Sequence, residues 1–144
     1  MKRKQRTEIL IHCPTKVLRE LSEAVESHHA IKILEEPNSG LVMVKMRETA
    51  MKTKFFLGEV LVTECKVLLG ETLGLGILRG SHKKRAYYLA VIDAAFNADI
   101  DEIEGLRERI REESGRIQIL QGRERQQILK TKVDFETLDE EVKA

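Results

Sequence analysis

The chain has 144 residues, 34% of them charged, with a formal net charge of +1, no tryptophan and 4% aromatics. A single domain of that size buries roughly two-thirds of its unfolded surface and needs neither disulfide nor metal to do so. The near-cancelled charge argues against a dedicated nucleic-acid binder, which usually carries a marked basic excess.

The N-terminus, Met1 to Cys13, is basic and then briefly apolar at Ile9, Leu10 and Ile11. That run is too short for a signal sequence or a membrane span, so the reading is cytoplasmic. Cys13 and Cys65 form no C-x-x-C pair. One bridge is arithmetically possible, but two free thiols in a reducing compartment are the expectation. Residues 2–12 suit a short helix. Pro14 then stands where a helix's first turn tolerates a missing N–H. Val17, Leu18, Leu21, Ala24 and Val25 recur at helical spacing, which predicts an amphipathic helix over Thr15–Glu26. Residues 1–28 therefore read as a helical hairpin.

Ile31 to Glu36 alternates, Pro37-Asn38-Ser39-Gly40 supplies turn chemistry, and Leu41 to Arg47 is β-rich. This predicts a strand, a tight turn and a second strand. After a connection at 48–53, Lys54 to Leu69 reads as one long strand, with Gly58 marking a bulge or a close backbone approach. Gly70 to Gly74 turns the chain and Leu75 to Leu78 returns it. Short connections favour a four-stranded antiparallel meander over residues 31–80.

Residues 81–144 are predicted as C-terminal helices and a tail, within one α+β domain. Ser81 is the expected N-cap of a helix that buries Ala86, Leu89, Ala90, Ile92 and Phe96. Asp93, on that otherwise apolar helix, is the carboxylate expected to be partly buried, holding a backbone or arginine partner or a partner subunit. Asp101 and Glu104 have capping-box spacing for a further helix. Its apolar residues Ile103, Leu106, Ile110, Ile117 and Leu120 keep a heptad-like register that Glu113 and Glu124 interrupt. Gly115 and Gly122 each weaken it by about 1 kcal/mol relative to alanine. So narrow a seam holds a long helix weakly to its own domain. Val133-Asp134-Phe135, Leu138 and Val142 form a short, partly apolar tail.

No catalytic constellation is present. Gly70, Gly74, Gly76 and Gly80 match neither dinucleotide nor P-loop spacing, and read as turns. Arg79, Ser81, Lys83, Lys84 and Arg85, with His82, surround a helix N-terminus. Free N–H groups there favour an anion, so these residues are candidates for anion or partner contact, against a solvated basic face. Tyr87 and Tyr88 stand beside them, and one is expected to pack on the core. His12, His28, His29 and His82 have no zinc spacing, and no metal is expected. Residues 97–108 imitate a calcium loop except that Glu102 replaces its glycine, so a helix cap is the better account.

Several segments together carry a family resemblance. They are Ser39-Gly40-Leu41, Phe55 to Val60, Val62 to Val67, Gly74 to Gly80, the helically spaced Ala86, Ala90, Asp93, Ala94 and Ala95, and the terminal Val133-Asp134-Phe135. In that order and separation, the chain closely resembles the G subunit (PhnG family) of the bacterial carbon–phosphorus lyase system for phosphonate degradation. His82 departs from it, standing where the family commonly has an acidic residue. The resemblance implies an accessory role in phosphonate catabolism. The G, H and I subunits, with an ATPase-like L subunit, displace adenine from ATP with an alkylphosphonate, giving ribose 1-methylphosphonate 5-triphosphate. It further implies no catalytic residue and no cofactor on this chain, with ATP (MgATP) the substrate of the complex. The implied partners are the H, I and J subunits, I being the most direct, with homo-oligomers possible in isolation. Ile110, Ile117, Leu120, Phe135 and Leu138 are the expected partner contacts. The alternative is a phosphate- or nucleotide-binding module acting alone through the loop from Gly74 to Arg85. Nucleic-acid binding through Lys83 to Tyr88 is a third reading that the near-neutral charge disfavours.

Overall fold

A computed structural model describes residues 1–133 of the chain. Helix α1 (Arg3–His12) and helix α2 (Thr15–Glu26) are followed by strands β1 (Ile31–Arg47), β2 (Lys54–Leu69) and β3 (Thr72–Arg79). Helix α3 (Lys83–Ala98) and the long helix α4 (Ile103–Lys130) complete the order. The α+β class and both N-terminal helices agree with the sequence reading.

The sheet has three strands rather than four, all antiparallel, in the order β1-β2-β3. The expected turn at Pro37-Asn38-Ser39-Gly40 does not reverse the chain. It is absorbed into β1 as irregularities, with register shifts between Ile33 and Glu35 and between Glu35 and Asn38. Asn38 Nδ2 donates to Glu35 Oε1 at 2.8 Å and to the Glu36 carbonyl at 3.3 Å, so the turn-forming residues bridge a bulge. Proline is tolerated because β1 is an edge strand and the missing N–H breaks no ladder bond there. A third shift, between Val44 and Lys45, lies opposite Gly58 and Phe56 and leaves Leu57 as the extra residue, which is the bulge expected near Gly58. The β2–β3 turn is tighter than expected: only Gly70 and Glu71 separate the strands, and Gly70 supplies a φ of +60°.

The core lies between one face of this sheet and the helices. Thr63, Cys65, Val67 and Leu69 of β2 and Leu78 of β3 point inward, as the period of two requires. α3 covers them and is itself covered by α2, so nearly its whole circumference is apolar: Ala86, Leu89, Ala90, Val91, Ile92, Ala94 and Ala95 are buried. Its N-cap is His82, without a side-chain cap, rather than Ser81, which is exposed. The loop is held instead by the buried Thr63, whose Oγ1 donates to the Gly80 carbonyl at 2.6 Å and accepts from the His82 N–H at 3.0 Å.

α3 approaches β3 so closely that no side chain separates them. A Cβ on Gly74 would meet the Ala90 carbonyl and the Ala94 Cβ, and one on Gly76 would overlap the Ala86 carbonyl. These glycines mark a helix–sheet contact rather than a turn.

α4 runs unbroken through Gly115 and Gly122, and starts after Glu102 without the Asp101/Glu104 capping box. Ile103, Leu106, Ile110 and Glu113 face the core at steps of three and four. Glu113 continues this seam instead of interrupting it, because Arg116 Nη1 at 2.8 Å and Arg109 Nη1 at 3.6 Å pair its buried carboxylate.

The close α3–β3 contact predicts that Gly76→Ala lowers stability by about 2–4 kcal/mol, since backbone must move to admit the methyl group. At Gly115 an added Cβ meets nothing within 4 Å. Gly115→Ala is therefore expected to raise stability by about 1 kcal/mol. Urea unfolding of the two variants checks both signs.

Candidate functional site

The densest polar cluster centres on Asp93, whose side chain is 8% exposed. Arg3 donates to both carboxylate oxygens, through Nε at 3.0 Å and Nη2 at 2.6 Å, and Arg6 Nη2 donates to Oδ1 at 2.5 Å. The Leu75 backbone N–H adds a bond to Oδ2 at 3.1 Å, and Asn97 Nδ2 another at 3.3 Å. Arg6 also lies over the Phe96 ring, 4.2 Å from its centroid. Burial pushes the Arg6 guanidinium below its ordinary value, and the Asp93 carboxylate opposes that shift. Both partner types foreseen for Asp93, arginine and backbone, are thus present. The cluster ties α1, α3 and β3 together with its hydrogen bonds satisfied internally. This is structural chemistry, with no acid or base left over for turnover.

The basic run after β3 does not converge. Arg79 is exposed on the sheet face away from the helices. Arg85 turns the other way, donating through Nη2 to the Ile11 carbonyl at 2.9 Å and through Nη1 to Thr15 Oγ1 at 3.4 Å. It clamps the α1–α2 junction. Lys83 and Lys84 line an open cavity of about 410 Å³ with Ile33, Glu36, Pro37, Tyr87 and Tyr88. Glu36 there opposes an anion. Both tyrosines are half-buried against the core, and burial pushes the Tyr87 hydroxyl up to about 12.

His29 Nε2 lies 3.1 Å from Glu102 Oε2, joining the end of α2 to the start of α4. That hydrogen bond is the main reason the Glu102 carboxyl is held below its ordinary value. Asn97, first in the calcium-like spacing, donates to the Leu73 carbonyl at 3.0 Å, and Asp99 closes α3 with a φ of +50°. Among the described residues, no group of three or more His, Cys, Asp or Glu side chains is placed to hold a metal ion. Cys13 and Cys65 are buried free thiols. No helix among the described residues is long and apolar enough to cross a membrane.

Among the described residues, the sheet and its β1–β2 extension leave many large apolar side chains exposed. The outer face of the sheet carries Val62, Leu68, Leu73, Leu75 and Ile77, relieved by the Glu35–Lys66 ion pair and Glu64. Lys32, Asn38 and Arg79 add polar groups to that side, so it alternates to polar only in part. Beyond β3 the β1–β2 ribbon continues with no buried residue from Leu41 to Leu61. Its apolar residues point to both faces, among them Leu41 at 63% exposure and Phe56 at 57%. The sequence signal is the unalternating runs Leu41-Val42-Met43-Val44 and Phe55-Phe56-Leu57, which by themselves indicate no more than strand propensity. Of the residues expected to contact a partner, Ile110 is buried in the chain's own core. Ile117 lines a groove of about 510 Å³ between α1 and α4, and Leu120 is 58% exposed. Phe135 and Leu138 lie outside the described residues.

Three antiparallel strands with helices packed on one face define an α+β domain, and its described residues bring no group of metal-ligating side chains together. Comparison with known proteins gives this class a family. The family described as phosphonate metabolism protein PhnG matches residues 1–139, and the chain belongs to it. The chain is also similar to the PhnG subunit of alpha-D-ribose 1-methylphosphonate 5-triphosphate synthase from Rhizobium meliloti (strain 1021). The two are 32% identical over 120 residues, covering 81% of this chain and 74% of that one.

Removing the charge at Asp93 leaves the buried Arg6 without its counter-ion, so Asp93→Asn is expected to cost about 3 kcal/mol, measured by thermal or urea unfolding. Burial pushes both thiols up to about 11. At pH 8 the thiolate fraction is then about one in a thousand, and alkylation of the native chain should be about 100-fold slower than in denaturant. Timed iodoacetamide labelling measures the ratio.

Proposed function

We propose that this chain is a non-catalytic, accessory subunit of a synthase that transfers ribose triphosphate from ATP to an alkylphosphonate. In this reading the chain binds no cofactor, and ATP with its magnesium is the substrate of the assembled complex. Its partners are the H, I and J subunits, the I subunit being the most direct, in a cytoplasmic assembly. The observation that carries the reading is the uncovered apolar surface of the outer sheet face and the β1–β2 ribbon. Area of that kind is costly in water and is a usual mark of a protein–protein interface. Family membership and the kinship with a named synthase subunit support the same conclusion. The internally satisfied Asp93 cluster supports it too, since it uses the best-placed carboxylate for cohesion.

Co-expression with the H, I and J subunits is expected to yield a stable stoichiometric complex, while calorimetry of the isolated chain with MgATP shows no heat of binding. Independent migration of the chains at micromolar concentration would remove the basis of the reading. Saturable ATP binding by the isolated chain, lost in a Lys83→Ala, Lys84→Ala variant, would favour a stand-alone phosphate-binding module instead.

A further inference from the structure

The ribbon outruns β3 and the helices of the described residues. β3 ends with Arg79 opposite Val62, yet β1 and β2 keep pairing from Leu41 opposite Leu61 to Arg47 opposite Lys54. Over this stretch both β1 and β2 are edges; apart from the Leu61 carbonyl, which accepts from the Gly80 N–H at 2.8 Å, their outward backbone groups meet no further strand among the described residues. Leu41, Met43 and Phe56 fall on the face that continues the core side, and Val42, Met46 and Phe55 on the other. A two-stranded ribbon is marginal in water by itself, and no helix among the described residues buries any part of it. The tip is basic: Lys45, Arg47, Lys52 and Lys54 outnumber Glu48 between residues 45 and 54.

From this we infer that residues 41–61 form a clasp that inserts into an apolar, carboxylate-rimmed cleft of a different protein subunit, which adds a strand to a free ribbon edge. The inference rests on the reading of the chain as a component of an assembly, and names the surface and the chemistry of its partner. Apolar side chains on both faces require a cleft rather than a flat surface. The basic tip requires carboxylates at its rim. A bilayer fails as occupant because it leaves the two backbone edges without hydrogen-bond partners. Nucleic acid offers nothing to the aliphatic faces. A second copy brings only Glu48 and Glu59 as ribbon carboxylates, too few to balance its own tip. The size is adequate: roughly 20 Å of ribbon, two strands wide, exposes about 400 Å² over both faces. With the adjoining outer sheet face it approaches the ~800 Å² that one partner contributes to a standard interface.

The test is hydrogen exchange on the full chain, alone and in the complex purified with the H, I and J subunits, together with a Phe55→Glu, Phe56→Glu variant. Each aromatic lies on a different face of the ribbon, and Phe56→Glu sits opposite Lys45, so the ribbon keeps a favourable cross-strand pair. In the complex, amides of residues 41–61 are expected to exchange at least tenfold more slowly. The variant is expected to keep the wild-type melting temperature and to lose at least tenfold in co-purification. A complex that forms while ribbon exchange stays unchanged overturns the docking site and leaves the assembly reading standing. No complex with wild-type chain overturns both. Ribbon protection in a homodimer of the isolated chain, or variant-sensitive flotation with anionic phosphatidylserine vesicles, overturns the proposed partner in favour of a second copy or a membrane surface.

Discussion

Helix α3 touches β3 backbone to backbone across Gly74 and Gly76, and the rest of the molecule is arranged around that contact. The alanines Ala86, Ala90 and Ala94 form the helix side of it, so the sheet and helix lie closer than side chains of ordinary size permit. At this separation Asp93 reaches the Leu75 N–H of β3 directly. The same carboxylate then collects Arg3 and Arg6 from α1, which ties the N-terminal helix to the α3–β3 contact. Widening the gap would therefore loosen the core and the ionic cluster together. A buried ion pair adds little net stability over an apolar replacement, but breaking one partner leaves an uncompensated charge. The cluster is best understood as enforcing one arrangement of three elements.

The packed half of the protein sets what the uncovered half is able to do. α3 shields one face of the sheet, α2 packs behind α3, and the first half of α4 lies beside α1 and α2 rather than around the sheet. Among the described residues the outer face and the ribbon receive no helix, although large apolar side chains are exposed on both. Beyond Ile117, α4 likewise projects with Ile119, Leu120, Ile128 and Leu129 exposed. The molecule is thus amphipathic as a whole: a cohesive helical side and an apolar side that water covers badly. That division, more than any single residue, supports a role in an assembly.

The helices and the long strand β2 were legible in the sequence because each has a clean period and a local boundary signal. The bulge near Gly58 and the burial of Asp93 were legible for similar reasons, one from a glycine inside a strand and one from a carboxylate on an apolar helix. The four-strand count failed at Pro37 to Gly40, where turn-forming residues served a bulge. β2 offers a partner long enough for an uninterrupted β1, and pairing along it satisfies more backbone than a reversal would. Glu113 was misjudged as a break in the α4 seam because its arginine partners sit three and four residues away and neutralise it only when the helix has formed. The basic residues from Arg79 to Arg85 looked like one patch in sequence, but strand and helix geometry sends them in three directions.

The sequence by itself determined the α+β class, the extents of α1, α2 and β2 and the absence of a recognisable catalytic motif. These follow from side-chain periodicity and short-range spacing, which act within one element. Tertiary structure alone decided that Gly74 and Gly76 serve contact rather than a turn, that Ile110 belongs to the chain's own core, and that the β1–β2 ribbon stands uncovered. Each of these depends on which surfaces are left over once distant segments have packed. No local pattern encodes that remainder, because burial is a property of the whole folded chain.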